Sequence, residues 1–231
     1  DLEFAPDGSL YVADWHNALI GHAQHNQRDP NRDHVHGRIY RITYPDRPLV
    51  EPANVHGASI TELLENLKLP EARTRYRTRR ELRGRNATDI LPTLKTWAAE
   101  QTNDHHKLEA LWVSWGLNQV DTDLLKQLLR SPDHRIRAAA VRVLRFNIDQ
   151  FQDYTSLLMA AANDEHGRVR LEAITTASWL PKEAGIAIVE AAGKKPLENS
   201  MKSSHRHALA KLKSETIHDE PYFLLKTDLK G

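Results

Sequence analysis

A short basic motif that returns along the chain constrains the fold more than any other feature. Pro70-Glu71-Ala72-Arg73-Thr74-Arg75 is echoed by Pro132-Asp133-His134-Arg135-Ile136-Arg137 and by Glu165-His166-Gly167-Arg168-Val169-Arg170. Arg75 and Arg137 are 62 residues apart, and Arg137 and Arg170 are 33 apart. Halving the first gap predicts a further copy near residue 106, where His106-Lys107-Leu108-Glu109-Ala110-Leu111-Trp112 stands. Its Ala110 matches Ala140 and Ala173. A period of about 31 to 33 residues, each a pair of helices, marks an α-solenoid. One such pair cannot bury its apolar face alone, and stacked pairs can. The period is shorter than the roughly 40 residues of HEAT repeats, so HEAT-like is a loose label.

The pairs can be placed from apolar spacing. We expect helices over 89–100 and 105–117, 121–130 and 134–146, 151–162 and 168–180, and 183–192 and 198–212. Ile60, Leu63, Leu64 and Leu67 fall at helical spacing, with Ser59 or Thr61 as a cap, and 72–83 reads as another helix. Pro92 is expected in a first turn, where a missing N–H costs little. Leu125, Leu128, Leu129, Val141, Leu144, Leu157, Leu158, Ile174 and Ile188 supply the apolar stripe. Ala138, Ala139, Ala140 and Ala173 let helices approach closely. Trp97, Trp112, Trp115 and Trp179 could line a groove, but core filling is the favoured expectation.

The first fifty residues follow another rule. Leu2-Glu3-Phe4-Ala5, Pro6-Asp7-Gly8-Ser9 and Leu10-Tyr11-Val12-Ala13-Asp14 read as strand, turn and strand. Pro sets φ at the turn's entry and Gly tolerates positive φ. A third strand spans 37–44; Ile39 and Ile42 differ in parity, so it is expected to be buried on both faces or bulged. Three short strands cannot bury a stable core alone. A Phe-x-Pro-Asp-Gly-x-Leu-Tyr-Val-x-Asp hairpin is the kind of unit that repeats around a β-propeller. The expected fold class is therefore mainly α: an α-solenoid of HEAT-like helix pairs preceded by a short β segment from the last blade of a propeller. The expected division is a partial blade over 1–50, a proline-rich linker over 51–58, the solenoid over 59–215 and a tail over 216–231. The opening on Asp1 in a strand-like pattern leads us to expect N-terminal blades beyond this chain.

Between the second and third strands lies a loop of about twenty residues, and loops that long are often functional. It is dense in His16, His22, His25, Arg28, Asp29, Asn31, Arg32, Asp33, His34 and His36. Three readings remain open. His22-x-x-His25 and His34-x-His36 have metal-ligand spacing. Asp29-x-Asn31-x-Asp33 resembles the start of a calcium loop, but His34 replaces the glycine and Tyr40 the closing glutamate. Alternatively, Arg28, Arg32 or Arg38 meets carboxylates as a pocket wall. In the third reading the loop's charges satisfy one another.

Lys plus Arg number 32 and Asp plus Glu 31, a balance that argues against a general nucleic-acid or membrane-surface protein. Arg73, Arg75, Arg77, Arg79, Arg80, Arg83 and Arg85 are the strongest local charge, but they spread around the helix and have Glu71 and Glu81 beside them. No nucleic-acid partner is expected. The chain has no cysteine, which removes disulfides, thiolate metal sites and a CxxCH haem attachment. No apolar run approaches the roughly 18 residues of a membrane span. Asn86-Ala87-Thr88 formally matches a glycosylation acceptor and is discounted. Tyr222-Phe223-Leu224-Leu225, in the tail, is expected to cap the last repeat or to dock on sequence outside the chain.

The run from Asp14 to Ile42, D-W-x-N-x-x-I-G-H-x-Q-H-x-x-R-D-P-x-R-D-H-x-H-G-R-I-Y-R-I, resembles the propeller end of the planctomycete-type membrane-bound dehydrogenases. That family is similar to the soluble glucose/sorbosone dehydrogenases that use pyrroloquinoline quinone (PQQ). The resemblance covers Phe4 to about Tyr44 and continues through 70–82. It implies a propeller joined to HEAT-like repeats, often followed by a cytochrome c domain, and a periplasmic or cell-envelope location. It implies PQQ and calcium in the full-length parent. His22, His25, Arg28, Asp29, His34, His36 and Arg38 would position substrate or bind the quinone's carboxylates. The catalytic base would lie in other blades, so this piece alone is not expected to catalyse. The other expectation is a non-catalytic repeat scaffold whose concave face docks a partner.

Overall fold

The computed structural model describes residues 1–14, 30, 31, 33 and 35–215. The chain divides into two compact units, Asp1–Trp97 and Ala98–Gly231.

The first unit opens with an antiparallel sheet of β1 (Leu2–Phe4), β2 (Leu10–Asp14) and β3 (Arg38–Ile42), in that order. The turn forms as expected from Pro-Asp-Gly. Gly8 sits at φ 81°, and the Asp7 carboxylate accepts from the Ser9 backbone N–H at 2.9 Å and hydroxyl at 2.6 Å. The Arg41 guanidinium closes on the same carboxylate. Together these bonds hold the Asp7 pKa below its usual value, the Ser9 hydroxyl contributing most. β3 departs from expectation. It pairs with β2 without interruption from Leu10 opposite Ile42 to Asp14 opposite Arg38, so there is no bulge, and all five of its residues are exposed. Ile42 shares a face with Phe4 and Leu10, its partners in the ladder, while Ile39 lies on the other face beside Ala13.

Helices α1 (Ile60–Asn66), α2 (Ala72–Arg83) and α3 (Ala87–Glu100) follow. Ser59 and Glu62 close a reciprocal capping box on α1, with the Glu62 N–H donating to the Ser59 hydroxyl and the Ser59 N–H to the Glu62 carboxylate. α3 starts earlier than its apolar spacing indicates, because the Asn86 side-chain oxygen accepts from Thr88 N–H at 3.3 Å. Pro92 therefore lies inside the helix and past its first turn, where it removes a helical donor. Leu63, Leu64, Leu67, Leu82 and Ile90 are fully buried. Trp97 joins them and donates its indole N–H to Glu65 at 2.9 Å.

In the second unit α4 (Asp104–Gly116), α5 (Thr122–Leu128) and α6 (His134–Phe146) lead through a 3₁₀ turn to α7 (Tyr154–Ala162). Then come α8 (Gly167–Ala177), α9 (Lys182–Gly193) and α10 (Asn199–Lys213). The second helix of each pair packs on the next, α4 on α6, α6 on α8 and α8 on α10, and α7 packs on α9 in the other layer. Leu111, Leu125, Leu128, Leu144, Leu158, Ile174 and Ile188 are fully buried between the layers. Each such side chain contributes roughly 1.5–3 kcal/mol. Leu129 and Leu157 are only half-buried. Close approach of α9 to the end of α8 depends on Gly185, where a β-carbon would lie 2.6 Å from the Ala177 carbonyl oxygen.

The repeat can now be indexed by caps. The residues preceding α2, α4, α6, α8 and α10 are Glu71, Asn103, Asp133, His166 and Glu198. Four positions after each cap stands a cation: Arg75, Lys107, Arg137, Arg170 and Lys202. The copy inferred near residue 106 is thus centred on Lys107, and Lys202 marks a fifth. The arginines do one structural job. Each reaches back over the first turn to two backbone carbonyls: Arg75 to Leu69 and Pro70, Arg137 to Ser131 and Pro132, Arg170 to Asp164 and Glu165. Those carbonyls belong to the tight connection between paired helices, and one guanidinium nitrogen, Nη1, donates to both at once.

Candidate functional site

The histidine-rich loop, first candidate from the sequence, is reached by the described residues only at its end. His22, His25, Arg28, Asp29 and His34 lie outside them. Asp33 accepts the backbone N–H groups of Val35 and His36, at 2.9 and 3.0 Å, and its carboxylate meets His36 Nδ1 at 3.0 Å. Those backbone donors, Val35 first, lower the Asp33 pKa to about 2. Arg38 is exposed and donates to the Tyr40 hydroxyl at 3.1 Å. Among the described residues no group of three or more His, Asp or Glu side chains could hold a metal.

Several arginines in and just after α2 have partners in the first unit. Arg73 pairs with Glu3 of β1 at 2.8 Å, Arg80 lies over the Tyr76 ring, and Arg85 pairs with Glu81 at 2.7 Å. Ser203 and His207 on α10 approach within 3.4 Å, but the same His207 Nδ1 lies 2.8 Å from the Ser203 carbonyl oxygen. That geometry is a side chain folded back on its own helix rather than a nucleophile and its base.

A wide concavity lies in the second unit. A groove of about 1030 Å³ crosses α4, α6 and α8. Its apolar floor is built by Leu108, Ile136 and the small Ala138 and Ala139, and the Trp112 ring forms a wall. Ala139, one of the small residues expected to let helices approach, is among the lining residues. Arg142 and Arg168 stand on the rim, both exposed. Three carboxylates also line it, and each has a cation of its own. Arg135 grips Asp133 with Nη2 at 2.7 Å, Arg145 meets Glu172 at 3.7 Å, and Lys107 lies 4.0 Å from Asp104. Arg135, through its side chain first, lowers the Asp133 pKa to about 2. Arg142 and Arg168 have no such partner among the described residues.

Successive repeats are tied by an ion pair. Arg137 Nε and Nη2 donate to the two Asp164 oxygens at 2.7 and 2.8 Å. Burial pushes the Asp164 pKa up, but Arg137 and the His166 N–H more than offset it and leave it below the usual value. Nearby, the His134 and His166 rings stack at 3.5 Å and 11°. His166 Nδ1 accepts from Arg168 N–H as the cap of α8. Burial first, and then His166, lowers the His134 pKa.

Sequence reasoning missed the rim because the copies were compared only over their opening six residues, a span that holds Arg135 and Arg168 but stops short of Trp112 and Arg142. Two positions after each cap come His105, Arg135 and Arg168, and nine after come Trp112 and Arg142. Both positions face away from the core, and aligning the caps reveals them. The tryptophans divide accordingly. Trp97 is core as expected, while Trp112 lines the groove and Trp115 stacks on Phe146 with centroids 5.6 Å apart. Trp179 is 77% exposed, with Lys211 Nζ 3.2 Å from its ring centre.

Comparison with known families agrees with this geometry. A family model for HEAT repeats matches residues 122–210, and one for a domain of unknown function (DUF7133) matches residues 1–46. No curated protein and no solved structure matches the chain. The described residues are mainly helical, with a small three-stranded sheet and a stack of HEAT-like repeats. No described helix is long and apolar enough to cross a membrane.

Proposed function

We propose that this chain works as an interaction module, with the groove across α4, α6 and α8 as its docking surface. One observation carries the reading: a concave surface that combines an apolar floor with two unpartnered guanidiniums. Helical-repeat stacks present such surfaces because neighbouring copies place equivalent residues in rows. A photo-crosslinking residue replacing Ala139 in the intact protein tests it. A partner captured there, and lost on Trp112→Ala, supports docking in the groove. Capture that is indifferent to Trp112, or seen only from probes on the outer layer, rejects it.

A second reading rests on the dehydrogenase resemblance and is favoured by the sheet. Leu2, Phe4, Leu10, Val12, Tyr40 and Ile42 share one face, and Leu2 and Phe4 are 61% and 57% exposed. Neighbouring blades of a propeller would cover such a face. In that reading residues 1–50 end the propeller, 51–58 link, 59–215 are the scaffold and 216–231 a tail. The parent would be a periplasmic or envelope quinone-dependent sugar or aldehyde dehydrogenase, with PQQ and calcium and a cytochrome c domain or partner. Among the described candidates, Arg38 has the chemistry to take a quinone carboxylate, since its guanidinium is exposed beside Tyr40. PQQ- and calcium-dependent dye reduction by the full parent across a sugar panel tests this. Activity that survives replacement of His22, His25 and Arg28 by Ala rejects a pocket role for the loop.

A further inference from the structure

Building on the docking role of the groove, we infer that its partner is an acidic, extended protein segment that carries a large apolar side chain. Each of the groove's own carboxylates has a cation beside it, closest for Asp133 with Arg135 at 2.7 Å and longer for Glu172 with Arg145 at 3.7 Å and Asp104 with Lys107 at 4.0 Å. The charge left over is positive and comes from Arg142 on α6 and Arg168 on α8. Guanidiniums take carboxylates as two-pronged partners, so adjacent helices offer two forks to acidic side chains. The same groove is lined by Trp112 and by the apolar Leu108, Ile136, Ala138 and Ala139. That apolar lining has room for an apolar or aromatic side chain, because two of its residues are alanines.

A nucleic acid or other polyanion fits this surface less well. The lining includes three carboxylates, and a backbone with a charge at every unit would have to pass them. Its apolar floor would also be left unused. A segment in which acidic residues alternate with apolar ones matches both halves of the surface, and it can skip the positions that face Asp104 and Glu172.

Random dodecapeptides displayed on phage and panned against the full chain provide the test. Enriched peptides should carry a net negative charge and at least one Leu, Phe, Tyr or Trp. Synthetic copies, followed by fluorescence anisotropy, should bind at least about tenfold more weakly to Arg142→Glu/Arg168→Glu and weaken as salt is raised. They should also weaken on Trp112→Ala. Circular dichroism and urea midpoints establish that the variants fold; Arg142→Gln/Arg168→Gln is the milder pair if the reversal does not. Neutral or basic peptides that depend on Trp112 overturn the acidic partner and leave the docking groove standing. Peptides indifferent to all three positions, or no enrichment at all, overturn both. Heparin or single-stranded DNA that binds more tightly than the peptides, and is lost on the double reversal, overturns the peptide in favour of a polyanion.

Discussion

Arg137→Ala should be the most damaging single truncation of a surface-reaching side chain in the second unit. The side chains of Arg137 and Asp164 are only 16% and 12% exposed, and two hydrogen bonds join them. Truncation leaves Asp164 mostly desolvated with no counter-ion, and frees the Ser131 and Pro132 carbonyls. Breaking a fully buried pair costs about 3–5 kcal/mol. Some water reaches this one and Asp164 keeps the His166 N–H, so about 2–3 kcal/mol is expected. Arg137→Lys keeps the charge but not the fork, and should cost about 1 kcal/mol. The cycle with Asp164→Ala should return a coupling of about 1–2 kcal/mol. Arg135→Ala is the control. Its side chain is 75% exposed and pairs within its own turn, so the change should stay within about 0.5 kcal/mol.

Urea unfolding of the full chain, followed by far-ultraviolet circular dichroism, measures all four. Because Arg137 and Asp164 belong to successive repeats, their loss should also lower the slope of the transition as the repeats begin to unfold separately. Arg137→Ala no worse than Arg135→Ala, with an unchanged slope, would refute the assignment of this pair as a joint. The sign with pH is fixed as well. The folded Asp164 pKa is depressed, so its contribution is present above the unfolded carboxyl value of 3.8 and is lost as pH falls through the folded value.

Two further outcomes follow from single sites. The His134 pKa is lowered in the fold, so the unfolded chain takes up that proton first; the stability it contributes is present above pH 6.5 and declines as pH falls from there toward the folded value. Urea midpoints between pH 7.5 and 5 should show this, and His134→Gln should flatten the slope; an unchanged slope would exclude the stacked pair as its source. Thr78 is fully buried with an unpartnered hydroxyl, at the position where other copies carry Ala110, Ala140 and Ala173. Thr78→Val should stabilise by about 1 kcal/mol in the same assay, and a destabilisation would mean that the hydroxyl has a partner.

Helix content was legible because it rests on periodicity, and so was the hairpin, because Pro-Asp-Gly has few conformations to choose from. Local chemistry moved the ends. Asn86 reads as half of a glycosylation signal or as a helix cap, and only the bond to Thr88 shows that it starts α3 early and pulls Pro92 inside. β3 misled for a different reason. Parity describes which side a residue faces, whereas burial depends on what lies against that side, and both faces of β3 are exposed. The groove was hidden for a third. Arg142 and Arg168 look like ordinary exposed arginines until the caps at Asp133 and His166 align them with Trp112 and His105.

That alignment also shows that the joints between repeats are not equivalent, which consensus reasoning would overlook. Arg137 reaches the residue two before the next cap, Asp164, and Arg170 reaches the corresponding Pro196 carbonyl at 2.6 Å. In the copy before them the cation is Lys107, which has no fork, and the receiving position is Ser131. There the bond runs the other way: the Ser131 hydroxyl donates back to Asp104 at 2.5 Å and accepts from Asp133 N–H at 3.2 Å. One buried hydroxyl therefore serves both the α4 carboxylate and the start of α6. Ser131→Ala strands an acceptor and a backbone donor together, and should cost about 1–2 kcal/mol. Ser156→Ala, at an exposed serine that bonds only to its own turn, should stay within about 0.5 kcal/mol. If urea midpoints do not separate the two, the α4–α6 joint is held by apolar packing alone, unlike the joints that Arg137 and Arg170 tie.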